Sequence, residues 1–289
     1  MNLLTTRKTA VLLTVLAGFL WGTSFPAIRI GLQYMDAYSF VFLRFLTASL
    51  VMLTASILLK KFSLKFEKKR LIFALGLTNG VAYLLQYVGM VHVNASASSL
   101  FVNLSVVWVA LLTPLILHER LGWKRTLGVT ISLIGVVFMT TNLEFQTLTQ
   151  GAIFADFLVI VAGVLWAVFI VFNKPLVKND GDIIQAVTWL LVFTLLPLLP
   201  VLPFSAGALS SLPIQAWLAI LYTAVMCWVL PYYLWLKGLR HLSPVTSAVV
   251  LLTEIVVAVA ISTIFLGEVF TIISGIGAVL IVFAILVVS

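Results

Sequence analysis

Long apolar stretches dominate the chain, and short polar connections separate them. A hydrocarbon core about 30 Å thick is crossed by roughly 20 residues of α-helix, so each stretch of that length is a candidate span. Ten such stretches occur, at residues 9–31, 38–59, 70–90, 96–117, 123–141, 151–173, 183–203, 213–236, 243–266 and 270–288. The pattern predicts an all-α polytopic membrane protein with ten transmembrane helices and no room for a soluble domain.

Composition excludes the rival classes. Hydrophobic residues make up 63% of the 289 residues and charged residues only 9%, whereas about 25% of a soluble domain is charged. Such a chain cannot cover a water-exposed surface with charge, and it is far too apolar to be disordered. Soluble enzymes and disordered proteins are therefore excluded. The first stretch is longer than the apolar region of a signal peptide, so it is interpreted as an uncleaved first helix.

Basic residues lie almost entirely in the connections on one side of the predicted bundle. Of the 17 Lys and Arg residues, 15 lie on the side of the N-terminus, and the exceptions are Arg29 and Arg44. Cytoplasmic loops of membrane proteins carry such an excess, so both termini are expected in the cytoplasm and the protein in the cell membrane. The net charge of +8 follows from this asymmetry. No nucleic-acid partner is expected, because the basic loops are too short to form a binding module.

Motifs for metals and cofactors do not occur in the sequence. The single cysteine, Cys227, permits neither a disulfide nor a thiolate metal site. A phosphate-binding glycine loop and a zinc-binding helix motif are both missing as well. We therefore expect no metal and no cofactor.

The two halves of the chain resemble each other in sequence. Tyr83, Gly89 and His92 have identical counterparts 149 residues later, and Trp21 has one 145 residues later at Trp166. The halves are expected to divide at residues 1–145 and 146–289, with five spans each. Because five is odd, the second half would enter the membrane from the opposite face, which gives the inverted repeat common among secondary transporters.

Several short motifs carry a likeness to a known family. They are the segment Leu20–Pro26 in the first span, Arg44 in the second, the helix-end glutamates Glu119 and Glu268, and the glycines Gly128, Gly135 and Gly277. With ten spans and the repeat, the whole chain resembles the drug/metabolite transporter superfamily, in its ten-helix EamA-domain branch. The second half departs from the first, because Val171 stands where the first half has Pro26. The first helices of the two halves need not bend alike.

The resemblance implies a small-molecule carrier, most often an exporter of amino acids or other metabolites. We expect a secondary transporter that works by alternating access, with a central cavity lined by the first, third and fourth spans and by the sixth, eighth and ninth. Its partners would be a small-molecule substrate, the lipid bilayer and, if transport is coupled, protons. The oligomeric state is left open, and a monomer is compatible with the sequence. Alternatives are a multidrug or sugar-type carrier of the same superfamily, or an intramembrane enzyme.

Polar residues within apolar spans are costly and therefore informative. The third, fourth and eighth spans each present such residues on one helical face. These candidates for substrate binding are Asn79, Tyr83, Gln86 and Tyr87, then Ser99 and Asn103, then Tyr232 and Trp235. The alternative is that they hydrogen-bond between packed helices without touching substrate.

Trp21 and Trp166 are two further candidates for substrate binding. They are matched by the repeat and lie in the middle of their spans, away from the interfacial positions that tryptophan prefers. Their rings could stack on an apolar or aromatic substrate, and helix packing is the alternative.

Two charged residues within the spans, Glu254 and Arg44, are further candidates for the site. Glu254 is the one acidic residue deep inside a span, and desolvation favours the protonated form of a carboxyl group. It is therefore a candidate for proton coupling or for pairing with a substrate amine, and a structural ion pair is the alternative. Arg44 could extend outward to the interface, pair with Asp156 in the sixth span, or bind a substrate carboxylate.

Overall fold

The structure is a computed structural model, and it describes residues 3–90, 92–93, 95–146, 153–178, 182–201, 212–266 and 269–289. Every regular element in these ranges is helical. In the first half of the chain the helices are α1 (Leu3–Gly22), α2 (Ser24–Gly31), α3 (Ala37–Leu58), α4 (Lys69–Met90), α5 (Ala95–Asn103), α6 (Ser105–Leu117) and α7 (Trp123–Thr141).

The second half continues in the same way. Its helices are α8 (Ile153–Val177), α9 (Ile183–Thr194), α10 (Ile214–Ala224), α11 (Leu230–Leu239), α12 (Pro244–Leu251), α13 (Thr253–Leu266) and α14 (Ile272–Val288). A 3₁₀ turn (Leu196–Val201) follows α9, and a π-helical segment (Val225–Val229) joins α10 to α11. This last element is called the π segment below.

Eight of the described helical segments are long and apolar enough to cross a membrane. They are Thr6–Gly31, Ala37–Leu58, Lys69–Met90, Ala97–Leu117, Ile153–Val177, Ile183–Pro200, Ile214–Leu239 and Pro244–Phe265. They correspond to eight of the ten expected stretches and confirm an all-helical, multi-span membrane protein. The other two stretches are helical as α7 and the 17-residue α14. The count of ten spans stays a prediction.

Three spans are interrupted by a residue that leaves the α-helical ladder. Thr23 separates α1 from α2, Leu104 separates α5 from α6, and Leu252 separates α12 from α13. All three have ψ between −8° and −13°, which is closer to 3₁₀ than to α geometry. Hydropathy alone cannot reveal such breaks, because the apolar run continues through them.

The first spans of the two halves differ in shape. The first is broken at Thr23, three residues before Pro26, whereas α8 runs unbroken from Ile153 to Val177 with Pro175 near its end. A proline removes one backbone donor from the helical ladder. The different proline positions noted in the sequence therefore accompany different helix geometries.

Glycines permit α7 and α14 to pack closely along their length. A Cβ added at Gly135 would lie 2.8 Å from the carbonyl oxygen of Gly277, and one added at Gly277 would lie 2.7 Å from that of Gly135. The contact is reciprocal, so two backbones meet directly where a side chain on either would clash. Two of the glycines in the family motif therefore act in helix packing.

One end of the bundle gathers the basic connections, and it is called the basic end below. Arg7, before the middle of α1, donates a hydrogen bond to the carbonyl of Val288 at the end of α14, so the two ends of the described chain lie together. Lys174, near the end of α8, donates to the carbonyls of Leu239, Arg240 and Leu242. The last carbonyls of a helix have no partner within it, and Lys174 supplies one for the end of α11.

Candidate functional site

Aromatic side chains from five spans meet in the main buried core of the molecule. Their rings form a continuous set of contacts with centroids 4.7–6.2 Å apart. This aromatic cluster consists of Trp21, Phe45, Tyr83, Trp166, Phe169, Trp228, Tyr232 and Trp235. Five of its members are predicted substrate-binding residues: the two repeat-matched tryptophans, Tyr83 of the third span, and Tyr232 and Trp235 of the eighth.

The ring geometry links the two halves of the chain. Trp21 lies 6.1 Å from Trp235, and Tyr83 meets Trp166 edge to face at 4.7 Å. Phe169 lies between them and stacks on Tyr232 at 5.8 Å and on Trp235 at 6.2 Å. Contacts of this kind stabilise by about 0.5–1.5 kcal/mol each beyond their buried area. The cluster therefore joins α1 and α4 of the first half to α8 and α11 of the second.

Tyr232 and Trp235 form a fixed wall of the cluster. Both are 1% exposed, and each polar tip has a buried partner. The Tyr232 hydroxyl donates to Asn173 Oδ1 at 2.6 Å, and Trp235 Nε1 donates to Ser247 Oγ at 2.7 Å. Trp21, Tyr83 and Trp166 are only half-buried, so part of each of these rings is not covered by the rest of the protein.

The polar residues on one face of the third span contact two different helices, α8 and α9. Gln86 accepts a hydrogen bond from Trp166 Nε1 at 2.9 Å, and Tyr87 packs near Tyr83. Asn79 is 0% exposed and donates to Thr194 Oγ1 of α9 at 3.0 Å. Asn79 thus makes a helix-packing contact about one turn before Tyr83 of the aromatic cluster, as the alternative interpretation of this face allowed.

Ser99 and Asn103 lie on α5, directly before the break in the fourth span. Asn103 Nδ2 donates to the carbonyl of Ser99 at 2.7 Å, within its own helix. The helix itself packs closely on α8, since a Cβ at Gly163 would lie 2.8 Å from the carbonyl of Phe101. Their role in substrate binding stays a prediction.

Arg44 is buried at 3% exposure and is held by backbone carbonyls. Its Nε donates to Thr223 at 3.2 Å and its Nη2 to Cys227 at 3.1 Å. Its guanidinium carbon lies 5.6 Å from the centroid of the Tyr83 ring. Extension to the interface and pairing with Asp156 are therefore wrong, while binding of a substrate carboxylate stays a prediction.

The sequence of the eighth span explains why the carbonyl of Cys227 is free to accept from Arg44. In an α-helix the carbonyl of Cys227 would accept from residue 231, but Pro231 has no N–H to donate. The π segment ends just before this proline, and π-helical turns are often found at functional sites. Arg44 supplies the donor that Pro231 lacks.

The same segment contacts the break in the first span. Thr23 Oγ1 accepts from the Tyr222 hydroxyl at 2.8 Å and lies 3.7 Å from Cys227 Sγ. It also donates to the carbonyl of Leu20 at 2.7 Å. The two irregular parts of the site, in the first and eighth spans, are therefore held together by hydrogen bonds.

Glu254 lies in the first turn of α13, just after the break at Leu252. It is half-buried and interacts electrostatically with Arg44, and in the described residues no ion pair within 4.0 Å joins the two. Its backbone packs on α1, because a Cβ at Gly22 would lie 2.7 Å from the carbonyl of Glu254. The backbone of Glu254 is thus held against α1 at the residue that follows Trp21, and among the described residues its carboxyl has no ion-pair partner within 4.0 Å.

Three aromatic members of the cluster were not among the predicted site residues. Phe45 directly follows Arg44 in the second span. That span is not among those expected from the sequence to line the cavity. Phe169 and Trp228 lie three and four residues from Trp166 and Tyr232, which is the spacing of neighbours on one helical face. That spacing is the signal that could have found them.

A pocket of about 490 Å³ opens at the basic end, on the side of the cluster near α11. Leu236, the neighbour of Trp235, forms part of its wall. Lys68, one of its lining residues, donates through Nζ to the carbonyl of Pro175 at 2.6 Å, and Lys61 forms a 2.9 Å ion pair with the lining residue Asp182. These contacts hold the connection before α4 against the C-terminal end of α8 and the N-terminus of α9.

Asp182 also caps the N-terminus of α9. Its Oδ1 accepts from the backbone N–H of Ile184 at 2.9 Å. Partial burial opposes ionisation, but hydrogen bonds from Lys61 and from the backbone hold the pKa of the Asp182 carboxyl below its ordinary value. The hydrogen bond with Asp182 in turn raises the pKa of Lys61.

Comparison with known proteins identifies the family. Residues 8–141 and 153–289 each match the sequence model of the EamA-like transporter family. The two segments together span well over half of the chain. The chain belongs to the EamA-like transporter family.

Several curated relatives have similar length. An uncharacterized transporter of Archaeoglobus fulgidus is 28% identical over 245 residues, which is 82% of each chain. A protein of Streptantibioticus cattleyicolor, named a probable terminal-alkyne amino-acid exporter, is 27% identical over 90% of this chain and 85% of its own. A protein of Salmonella typhimurium, named a probable amino-acid metabolite efflux pump, is 27% identical over 93% and 91%.

A solved structure shares the fold of this EamA-family chain. A crystal structure described only as that of a protein superposes with a TM-score of 0.79 and covers 97% of this chain and 96% of its own. At 17% identity the likeness concerns the fold alone. Family membership confirms the resemblance drawn from the sequence motifs, of which Glu268 lies outside the described residues.

Proposed function

We propose that this EamA-family protein exports small metabolites, amino acids in particular, across the plasma membrane by alternating access without a covalent step. The observation that carries the proposal is the aromatic cluster, which joins spans of both halves around Arg44 and Glu254. Two relatives of similar length, named as an amino-acid exporter and an amino-acid metabolite efflux pump, support the substrate class.

The proposed site suits a zwitterion. Arg44 uses Nε and Nη2 on backbone carbonyls, and a guanidinium has five N–H donors, so it keeps donors for a substrate carboxylate. Glu254 would accept the substrate ammonium, and the half-buried rings of Trp21, Tyr83 and Trp166 would take an apolar side chain. Within the membrane such charges are costly unless they pair, which favours a substrate that brings both signs.

We propose Glu254 as the proton-coupling group as well. Its carboxyl has no fixed ion-pair partner among the described residues, and desolvation favours the neutral acid. Binding of a substrate ammonium favours the carboxylate, so proton and substrate would compete for one group. Competition of this kind is the minimal requirement for exchange of a proton against a substrate.

The architecture we propose is two inverted five-helix repeats, at residues 1–145 and 146–289. Three observations support it. The family model matches the halves separately, and the two described chain ends meet where Arg7 donates to the Val288 carbonyl, as an even number of crossings requires. The breaks at Leu104 and Leu252 are 148 residues apart, close to the 149-residue sequence shift. Each repeat could then tilt against the other around the cluster.

Transport by purified protein in proteoliposomes tests the proposal. Labelled amino acids with apolar side chains should enter vesicles saturably, and a proton gradient should raise their accumulation. A panel containing sugars and cationic drugs separates this function from the other carriers of the superfamily. Saturable flux of sugars or drugs, with none of any amino acid, would reject the proposed substrate class.

A further inference from the structure

A second pocket, of about 330 Å³, lies at the basic end away from the aromatic cluster. It is bounded by the start of α1, the connection between α6 and α7, and the end of α14. Four cationic side chains line it, Arg7, Arg120, Lys124 and Arg125, and no acidic side chain is among its lining residues. Glu119 is the acidic neighbour, at 3.8 Å from Arg125. The pocket is therefore strongly positive.

The start of α7 adds to this positive potential, whereas the end of α14, where the Val288 carbonyl accepts from Arg7, opposes it. α7 begins at Trp123, and no side chain hydrogen-bonds its first turn, because the N-cap is Gly122. The free N–H groups at a helix N-terminus carry a partial positive charge and bind anions. Here they face the same pocket as the four cations.

The surroundings are those of a membrane interface. Trp123 is 70% exposed, and Lys124 Nζ lies 6.0 Å from the centroid of its ring. Tryptophan at the end of a span, beside basic residues, is typical of the headgroup region. One turn further along α7, on the same face, Leu127 is exposed, and Leu286 is exposed two residues before Val288. The positive pocket thus borders apolar helix surfaces that would face acyl chains.

We propose that this pocket binds the phosphate of an anionic phospholipid headgroup, with the acyl chains along α7 and α14. A soluble phosphate would satisfy the four cations and the helix N-terminus equally well. The adjoining apolar surfaces of Leu127 and Leu286 favour a lipid as the source. The site is distinct from the aromatic cluster and does not depend on the transported substrate.

Lipid binding to the purified full chain in detergent tests the proposal. Native mass spectrometry and thermal unfolding would compare phosphatidylglycerol with phosphatidylcholine of the same acyl chains, and with soluble glycerol phosphate and inorganic phosphate. The test variant is Arg120→Gln/Lys124→Gln. The matched control is Lys60→Gln/Arg70→Gln, which removes two exposed charges from the basic end outside both pockets.

Phosphatidylglycerol should bind the wild type more tightly than phosphatidylcholine and raise its Tm. A basic residue near an anionic lipid surface contributes roughly fivefold in affinity, so the test variant should lose about 25-fold. The control should keep the preference, and the soluble phosphates should give no comparable shift. Equal loss in the control, an unchanged preference in the test variant, or an equal response to inorganic phosphate would each overturn the assignment. Equal Tm values in phosphatidylcholine verify that the variants fold.

Discussion

The side chain of Arg44, on α3, is held in place by hydrogen bonds to the eighth span. It is held by the carbonyls of Thr223 and Cys227, and the second of these is available because Pro231 offers no N–H. Among the described residues no ion pair within 4.0 Å reaches this guanidinium, and a buried charge without a close counter-ion attracts an anion. Glu254, half-buried on the ninth span, is the acidic group that shares its field. Substrate binding and proton coupling at the proposed site therefore depend on which groups Arg44 and Glu254 bind.

Replacing Glu254 with glutamine tests its assignment as the coupling group. An amide of the same shape cannot exchange a proton, so Glu254→Gln should abolish the dependence of transport on a pH gradient while substrate exchange continues. Uptake with and without the gradient, together with counterflow, measures both properties. Glu119→Gln, at a helix end beside Arg125, is the matched control and should behave as wild type. An unchanged pH dependence in Glu254→Gln would remove it from the coupling step.

Removing the Trp21 ring tests the accessible face of the aromatic cluster. Aromatic contacts contribute about 0.5–1.5 kcal/mol, so Trp21→Ala should raise KM by roughly two- to tenfold. Transport kinetics in proteoliposomes measure it. Trp217→Ala provides the control, because Trp217 on α10 is 40% exposed and outside the cluster. A wild-type KM in Trp21→Ala, or an equal change in the control, would argue against contact with substrate.

Helical spacing predicted which residues share a face, but not which neighbour each would meet. Tyr83 and Gln86 reach the aromatic cluster through Trp166, whereas Asn79, on the same face one to two turns earlier, reaches Thr194 of α9. A face of a long helix crosses several neighbours, so periodicity alone cannot separate a binding residue from a packing residue. The partners of Arg44 could not be predicted either, because they are backbone atoms of a distant span.

Irregular segments of the helices surround the site. The first span is broken at Thr23, the eighth contains the π segment, and the ninth is broken at Leu252. Breaks of this kind free backbone groups that side chains such as Arg44 then bind. Eight of the ten expected stretches are confirmed as apolar helices long enough to cross a membrane, and hydropathy could predict them because a membrane-crossing helix must be apolar along its length. The breaks lie inside uniformly apolar sequence and leave no trace in that signal.

The close contact of α7 and α14 gives a stability prediction. Gly277→Ala should lower the free energy of unfolding by about 1–3 kcal/mol, because its Cβ would lie 2.7 Å from the Gly135 carbonyl oxygen. Gly275→Ala is the matched control in the same helix, where the nearest atom, in the Phe270 ring, is 3.4 Å away. Its higher helix propensity should leave stability equal or raised by up to about 1 kcal/mol. Thermal unfolding in detergent compares the two, and equal stability would contradict the tight packing.

The N-cap of α9 gives a pH prediction. The lowered pKa of Asp182 means that its charge stabilises the fold fully above the ordinary aspartate value of 3.8, and that this contribution disappears as pH falls through the lower folded value. Asp182→Asn keeps a capping oxygen but not the charge. Its Tm should therefore be below wild type at neutral pH and converge with it at acidic pH. A difference that stays constant across this pH range would show that the charge is not responsible.

Across the whole molecule, the gathering of basic residues at one end could be predicted, because connections alternate between the two sides of a bundle. Contacts of Arg7 with Val288 and of Lys174 with the turn after α11 place these connections together. Which end would carry the pocket of about 490 Å³ could not be predicted. That depends on a few side chains that line it, such as Lys68, and on the partners they bind.

Site-directed labelling tests the orientation that we propose. Cysteines at Lys8 and Ser289 should react with a membrane-impermeant maleimide only after cells are opened. A cysteine at Tyr34, in the connection between α2 and α3 at the opposite end, should react in intact cells. The native Cys227 is buried and gives little background. Labelling of either terminal site in intact cells would contradict cytoplasmic termini.

The ionic contacts around the larger pocket bear on how its end could open. Separating α4 from α8 would have to release Lys68 from the carbonyls of Pro175 and Leu176, and would have to part Lys61 from Asp182. Dissolved ions weaken solvent-exposed charge pairs much more than buried ones. The ionic strength of the solution at this face would then shift the equilibrium between closed and open arrangements of this end. Concentrated salt would favour the open arrangement, whereas the contacts of the aromatic cluster would not change.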